Sequence, residues 1–244
     1  MKDMSIFNTA IDMFDFEMYE KAYEYFLEEA IAEEPHSCLM IGLMYLYGYY
    51  PKQDFGKAFK FIRLAIDYSD HENMPYTILN KLLEAMDIIE ENRKAGECYI
   101  SFMIEMIEKE FWGYCICVAN DYGMGRIFPK DVAKEIEYYE MAAEHGIEFG
   151  YECLGEMFFK GEKVERDYEK AYEYFMKTEE INSHIKPYYL GEMYREGIIV
   201  EKDIEKAREY YQSVADDERG KKYNDQHYVL AVERLRELER GELQ

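Results

Sequence analysis

The stretch Tyr151-Glu152-Cys153-Leu154-Gly155-Glu156-Met157-Phe158-Phe159-Lys160-Gly161 runs on as Glu162-Lys163-Val164-Glu165-Arg166-Asp167-Tyr168-Glu169-Lys170-Ala171-Tyr172-Glu173-Tyr174-Phe175. Leu154, Gly155, Met157 and Phe158 fall on one face at helical spacing, so the first half reads as a helix. Gly155 costs roughly 1 kcal/mol of helix propensity against alanine, and close approach of a partner helix is the expected compensation. Gly161 ends the helix, because glycine enters the left-handed conformation without steric penalty. Asp167 opens a second helix as its N-cap. Val164 tucks back against the hairpin, Ala171 is the small contact between the two helices, and Phe175 is the large core residue one turn later.

The unit recurs. Gly125, Gly161 and Gly197 are 36 residues apart, as are Asp131, Asp167 and Asp203, and the pair returns upstream as Gly48 and Asp54. A period in the mid-thirties marks a stacked array of helical hairpins. The last unit carries Leu190-Gly191, Tyr194, Gly197, Asp203, Lys206-Ala207 and Tyr210-Tyr211; an earlier one carries Ile41-Gly42, Tyr45, Gly48, Asp54, Lys57-Ala58 and Phe61-Ile62. In the third unit Ile78-Leu79 replaces the Leu-Gly pair, Ala85 the glycine and Glu91 the aspartate, with Lys94-Ala95 and Tyr99 in register. A first unit is anchored by Lys21-Ala22 and Tyr25-Phe26, its first helix holding Ile6, Ala10 and Phe14.

These registers predict a single all-α solenoid domain over 1–244, with hairpins near 1–36, 37–72, 73–110, 111–146, 147–182 and 183–218. Tyr228, Ala231, Val232, Leu235 and Leu238 make one apolar stripe, predicting a single capping helix over 221–240 that covers the last repeat.

Fifty-two acidic and 29 basic side chains give a net charge of −23. Such a field repels phosphate backbones and anionic membranes, so nucleic-acid and membrane partners are not expected and a basic partner is favoured. The N-terminus lacks an apolar run of signal-peptide type, and no stretch is apolar enough to cross a membrane. With an odd count of five cysteines, reduced thiols and a cytoplasmic location are expected. Cys117 and Cys153, again 36 apart, read as small core residues.

Leu-Gly-x-x-Tyr-x-x-Gly, then Asp-x-x-Lys-Ala and an aromatic pair, resembles the Sel-one-like repeat, a relative of the tetratricopeptide repeat. Gly155 to Phe175 and Gly191 to Tyr211 carry the resemblance best, with Ala119 to Gly146 and Gly42 to Ala65 behind them. It implies a right-handed superhelix of antiparallel helix pairs working as an adaptor for other proteins. Some secreted members carry paired cysteines in each repeat and are associated with binding or cleaving β-lactams. This chain lacks that pairing.

Candidates for chemistry dissolve into the repeat. His36, His71, His145, His184 and His227 form no i, i+4 pair of the kind a helical metal site needs. Cys115-Ile116-Cys117 is not a C-x-x-C, Gly123-Met124-Gly125 follows no strand, and Glu28-Glu29 and Glu33-Glu34 lack calcium-loop spacing. Neither catalysis, metal nor cofactor is expected. In Tyr25-Phe26, Tyr138-Tyr139, Tyr174-Phe175 and Tyr210-Tyr211, one partner should fill the core and the other lie toward the outer surface or the next hairpin.

The resemblance places the first helix of each hairpin on the concave side. Positions two before, two after and five after the Leu of Leu-Gly should then face the groove. The candidate binding residues are Leu43 and Tyr47, Tyr76 and Asn80, Asn120, Glu152 and Glu156, and Tyr188, Glu192 and Arg195. Asn80 and Asn120 have the amide to hydrogen-bond a peptide backbone; Glu152, Glu156 and Glu192 would receive Lys or Arg. The expected function is a non-catalytic scaffold for a protein or peptide with a basic segment. The alternatives are an immunity- or antitoxin-like protein that neutralises a basic effector, and a β-lactam hydrolase.

Overall fold

In the computed structural model residues 4–69, 73–178 and 184–241 are described, with side chains from Ala10 onward. The Ile6 side chain and His71 lie outside the described residues. The chain forms two compact units, Met1–Tyr114 with Gly125–Pro129, and Cys115–Met124 with Lys130–Gln244. Described residues are helical or irregular, with no strand among them.

In the first unit, α1 (Met4–Asp15) packs on α2 (Tyr19–Ile31), and α3 (Pro35–Tyr47) on α4 (Phe55–Asp67). The third hairpin departs from the simple reading. Between α5 (Met74–Glu84) and α7 (Arg93–Glu108) lies a short extra helix, α6 (Met86–Glu91), and the N-cap of α7 is Asn92 rather than Glu91. Asn92 Oδ1 accepts from Lys94 N and Ala95 N at 3.0 and 3.2 Å. Helix α8 (Gly113–Met124) contributes its last ten residues to the second unit. There follow α9 (Val132–Glu144), α10 (Phe149–Lys160), α11 (Tyr168–Met176), α12 (Ile185–Glu196) and α13 (Ile204–Ala215), with α9 against α10, α10 against α11 and α12, and α12 against α13.

The expected capping helix is two helices, α14 (Glu218–Tyr223) and α15 (Gln226–Glu239). Asn224 turns the chain between them at φ 51°, and Asp217 and Asp225 are their N-caps. Asparagine is among the few non-glycine residues that enter this region at low cost. Helix α15 packs on α12 and α13 and buries Ala231 and Leu238.

Four hairpins share one closing device. Gly48, Gly125, Gly161 and Gly197 all have φ between 66° and 72°. Asp54, Asp131, Asp167 and Asp203 cap the second helices, each Oδ1 accepting the backbone N–H of the lysine three residues on at 2.9 to 3.1 Å. The aspartate N–H itself donates back to the first helix, to the carbonyl of Tyr45, Tyr122, Phe158 or Tyr194, at 2.9 to 3.2 Å. That same aromatic ring takes the lysine ammonium on its face, 4.1 to 5.2 Å from the centroid. It also stacks on Phe61, Tyr138, Tyr174 or Tyr210 of the second helix, centroids 5.6 to 6.0 Å apart. Tyr138, Tyr174 and Tyr210 therefore fold back on their own hairpins, Tyr174 also donating its hydroxyl to Glu140 of the preceding hairpin at 2.7 Å, whereas Tyr25 of the first hairpin is exposed as expected. One residue thus serves the hairpin twice, its backbone carbonyl taking the aspartate N–H and its ring taking both the cation–π contact and the stack, which explains why Tyr/Phe, Asp and Lys recur together.

The Leu-Gly glycine makes room for the large residue of the second helix. A Cβ at Gly191 would lie 2.6 Å from the Tyr211 ring, one at Gly42 2.7 Å from Ile62, and one at Gly155 would collide with Phe175. Cys38 and Cys115 are buried, whereas Cys117 and Cys153 are only partly so, short of the core positions expected of them.

Candidate functional site in the second unit

Asn120, Glu156 and Glu192 occupy one register position of α8, α10 and α12. The structure places each on the cavity side of the second unit, already engaged by the protein's own groups. Tyr139 OH donates to Asn120 Oδ1 at 2.6 Å, and Tyr211 OH to Glu192 Oε1 at 2.8 Å. The fifth hairpin has Phe175 at that position and lacks the hydroxyl. Glu156 Oε1 instead meets Lys160 Nζ at 2.6 Å, Tyr189 OH at 3.0 Å and His227 Nε2 at 3.3 Å. Burial alone would raise the Glu156 carboxyl; the His227 hydrogen bond and Lys160 outweigh it and hold it at about 2. Burial, joined by the neighbouring carboxylates, pushes the Tyr189 and Tyr211 hydroxyls far up, so both remain donors. Glu192 is further held by Arg195 at 2.7 Å and by Arg234 of α15 at 2.9 Å.

Two adjacent cavities open along this row. The first, about 290 Å³, is walled by Asn120, Glu135, Tyr139, Glu156 and Lys163, with Met157 and Ile185 apolar. The second, about 320 Å³, has Phe159, Tyr188, Tyr189, Glu192 and Leu230. Lys160 and Glu162 border both. Glu162 is exposed and forms no ion pair among the described residues.

The remaining expected residues are placed differently. Glu152 is 1% exposed and buried in the second unit, out of reach of a partner's cation. Tyr188 is buried against Tyr189, Tyr211 and His227 while still forming cavity wall. Arg195 spans Glu192 and Glu196. In the first unit Tyr47 stacks on Tyr49, Leu43 is half-buried, Tyr76 is exposed with its ring against Gly113, and Asn80 is exposed. Sequence reasoning missed Glu135, Lys163, His227 and Arg234. For Glu135 a signal existed: the Lys-Ala alanine, wholly buried as Ala22, Ala58, Ala95, Ala171 and Ala207, is glutamate in the fourth hairpin alone. His227 and Arg234 lie outside the repeat, so its register was silent about them. Among the described residues no group of three or more His, Cys, Asp or Glu is arranged to hold a metal.

The architecture defines an all-α helical-repeat protein. The Sel1 repeat family model matches at four places, residues 35–67, 118–147, 154–177 and 188–217, and the chain is a Sel1-repeat protein. A solved structure titled c5321, a protective antigen present in uropathogenic Escherichia coli strains displaying an SLR fold, is similar over 78% of this chain, with 22% identity and TM-score 0.51. The match spans only 40% of that protein's chain. A Sel1 repeat protein from Oxalobacter formigenes is similar over 95% of this chain and 99% of its own, with 20% identity and TM-score 0.50. At these identities the likeness shows the fold. No curated protein matches the sequence.

Proposed function

We propose that the chain is a non-catalytic scaffold that holds a protein or peptide segment along the cavity row of its second unit. The carrying observation is the pair of adjacent cavities that share Lys160 and Glu162 and are lined from α8, α9, α10, α11, α12 and α15. Side-chain-sized recesses in series suit successive side chains of an extended segment, with hydrogen bonds at their rims setting register. Sel1-repeat proteins typically serve as protein-interaction scaffolds, which agrees with this reading. A basic segment is favoured by the net charge of −23 and by Glu162, which has no cation of its own among the described residues. The five free thiols fit a reducing, cytoplasmic setting.

The test is an array of random 12-residue peptides read against the full chain at low and high salt. Retention of basic sequences that weakens with salt, and weakens again in Glu162→Lys, supports the reading. Charge reversal at Glu162 isolates binding from folding, because that side chain is exposed. Retention indifferent to peptide charge, or unchanged in Glu162→Lys, would remove the groove as the binding surface.

A further inference from the structure

The fourth hairpin exchanges volume between its two helices. Gly123 stands where the other clasped hairpins have Leu46, Phe159 and Arg195, and Glu135 stands where the others have alanine. The two changes fit each other, since a Cβ on Gly123 would collide with the Glu135 carboxylate. A carboxylate is thereby installed 2% exposed at the wall of the 290 Å³ cavity. Lys163 Nζ, from the loop after α10, serves its Oε1 at 2.6 Å, while the buried Oε2 accepts no hydrogen bond among the described residues. A buried carboxylate with one oxygen unserved is costly unless a donor arrives.

Lysine brings one point of charge; a guanidinium presents two parallel N–H groups matched to both oxygens of a carboxylate. The Lys163 side chain is 41% exposed, so it can swing out to water and leave the carboxylate open. The wall bears Glu135, Glu156 and Glu162 against Lys160 and Lys163, one negative charge in excess. Met157 and Ile185 offer apolar surface to an aliphatic stem, and at about 290 Å³ the space lies at the floor of the range for whole small-molecule ligands, about 300 to 1,000 Å³. We propose that this cavity receives one arginine side chain of the bound segment, its guanidinium displacing Lys163 from Glu135. The proposal rests on the scaffold reading for the source of the arginine, and it assigns the specificity to Glu135, Gly123 and Lys163.

The test is an amide-resolved NMR titration of the full chain with Nα-acetyl-arginine methylamide, and with the citrulline compound as neutral isostere. The arginine compound should give saturable shifts at Gly123 and in α9 around Glu135, and the citrulline compound none. Glu135→Gln should weaken binding about tenfold or more, as loss of a charge-assisted pair does. Lys163→Met removes the internal competitor and should tighten it, a gain that no misfolded variant would mimic. Equal response to arginine and citrulline, absence of saturation, or unchanged affinity in both variants overturns the proposal. If basic peptides bind the array normally while the arginine compound fails, the cavity assignment falls and the scaffold stands. If the arginine compound saturates and no peptide is retained, the scaffold reading falls instead.

Discussion

At the scale of single residues, the clasp concentrates several interactions on an aromatic residue, an aspartate and a lysine, and its parts fail in separable ways. Removing the cap with Asp167→Ala leaves the N-terminal N–H groups of α11 without their acceptor and should cost about 1 kcal/mol, seen as a lowered urea midpoint. Gly161→Ala should cost about 1 kcal/mol or more, because the residue sits at φ 66° and a Cβ there meets Arg166 backbone at 2.9 Å. By contrast, Asn92→Asp in the third hairpin should leave stability nearly unchanged, both residues being good caps. The clasp was legible in the sequence because it repeats: glycine at one position and aspartate six later survive in four hairpins. The third hairpin was misread by one residue because Glu91 kept the register while the capping chemistry moved to Asn92. Glutamate is one methylene longer and ranks well below asparagine as a cap, so residue chemistry outweighed register there.

At the scale of elements, α15 is the piece the repeat did not predict in full. Its apolar stripe was legible, and Ala231 and Leu238 are buried as expected. Its polar reach into the cavity row was not, because His227 and Arg234 bond to residues 71 and 42 positions away and no local pattern records such contacts. The break before α15 was missed as well: Asn224 and Asp225 carry turn and cap chemistry, but they lie outside the repeat, so no register pointed to them and the apolar stripe from Tyr228 reads as continuing back over them. The Glu156–His227 contact makes a pH-dependent tie between α10 and α15. A carboxyl held at about 2, below its usual 4.5, contributes stability that is fully present above pH 4.5 and is lost as pH falls toward 2. Acid unfolding of the intact chain should therefore show a step in that window. Glu156→Gln should flatten it, as read by tyrosine fluorescence against pH. A step of equal size in the variant would assign it to other carboxylates. The cavity row itself was half legible: register found Asn120, Glu156 and Glu192, but not that Tyr139, Tyr189 and Tyr211 already hold them.

At the scale of the whole molecule, a net charge of −23 on 244 residues gives a long-range field that individual ion pairs do not cancel. Salt that screens like-charge repulsion should raise the melting temperature at neutral pH, most steeply below about 0.15 M, where the Debye length exceeds about 8 Å. A melting temperature independent of salt, or falling with it, would mean the internal pairs dominate. The same field favours cationic segments over any part of the surface, so charge alone does not locate binding. Placement does, and it is decided by photo-crosslinking with a benzophenone side chain replacing either Phe159, in the wall of the second cavity, or Tyr25, exposed on α2. With an arginine-bearing peptide chosen from the array, mass spectrometry should find adducts from position 159 and none above background from position 25. Adducts from position 25 alone, or from both positions equally, would contradict a binding groove in the second unit.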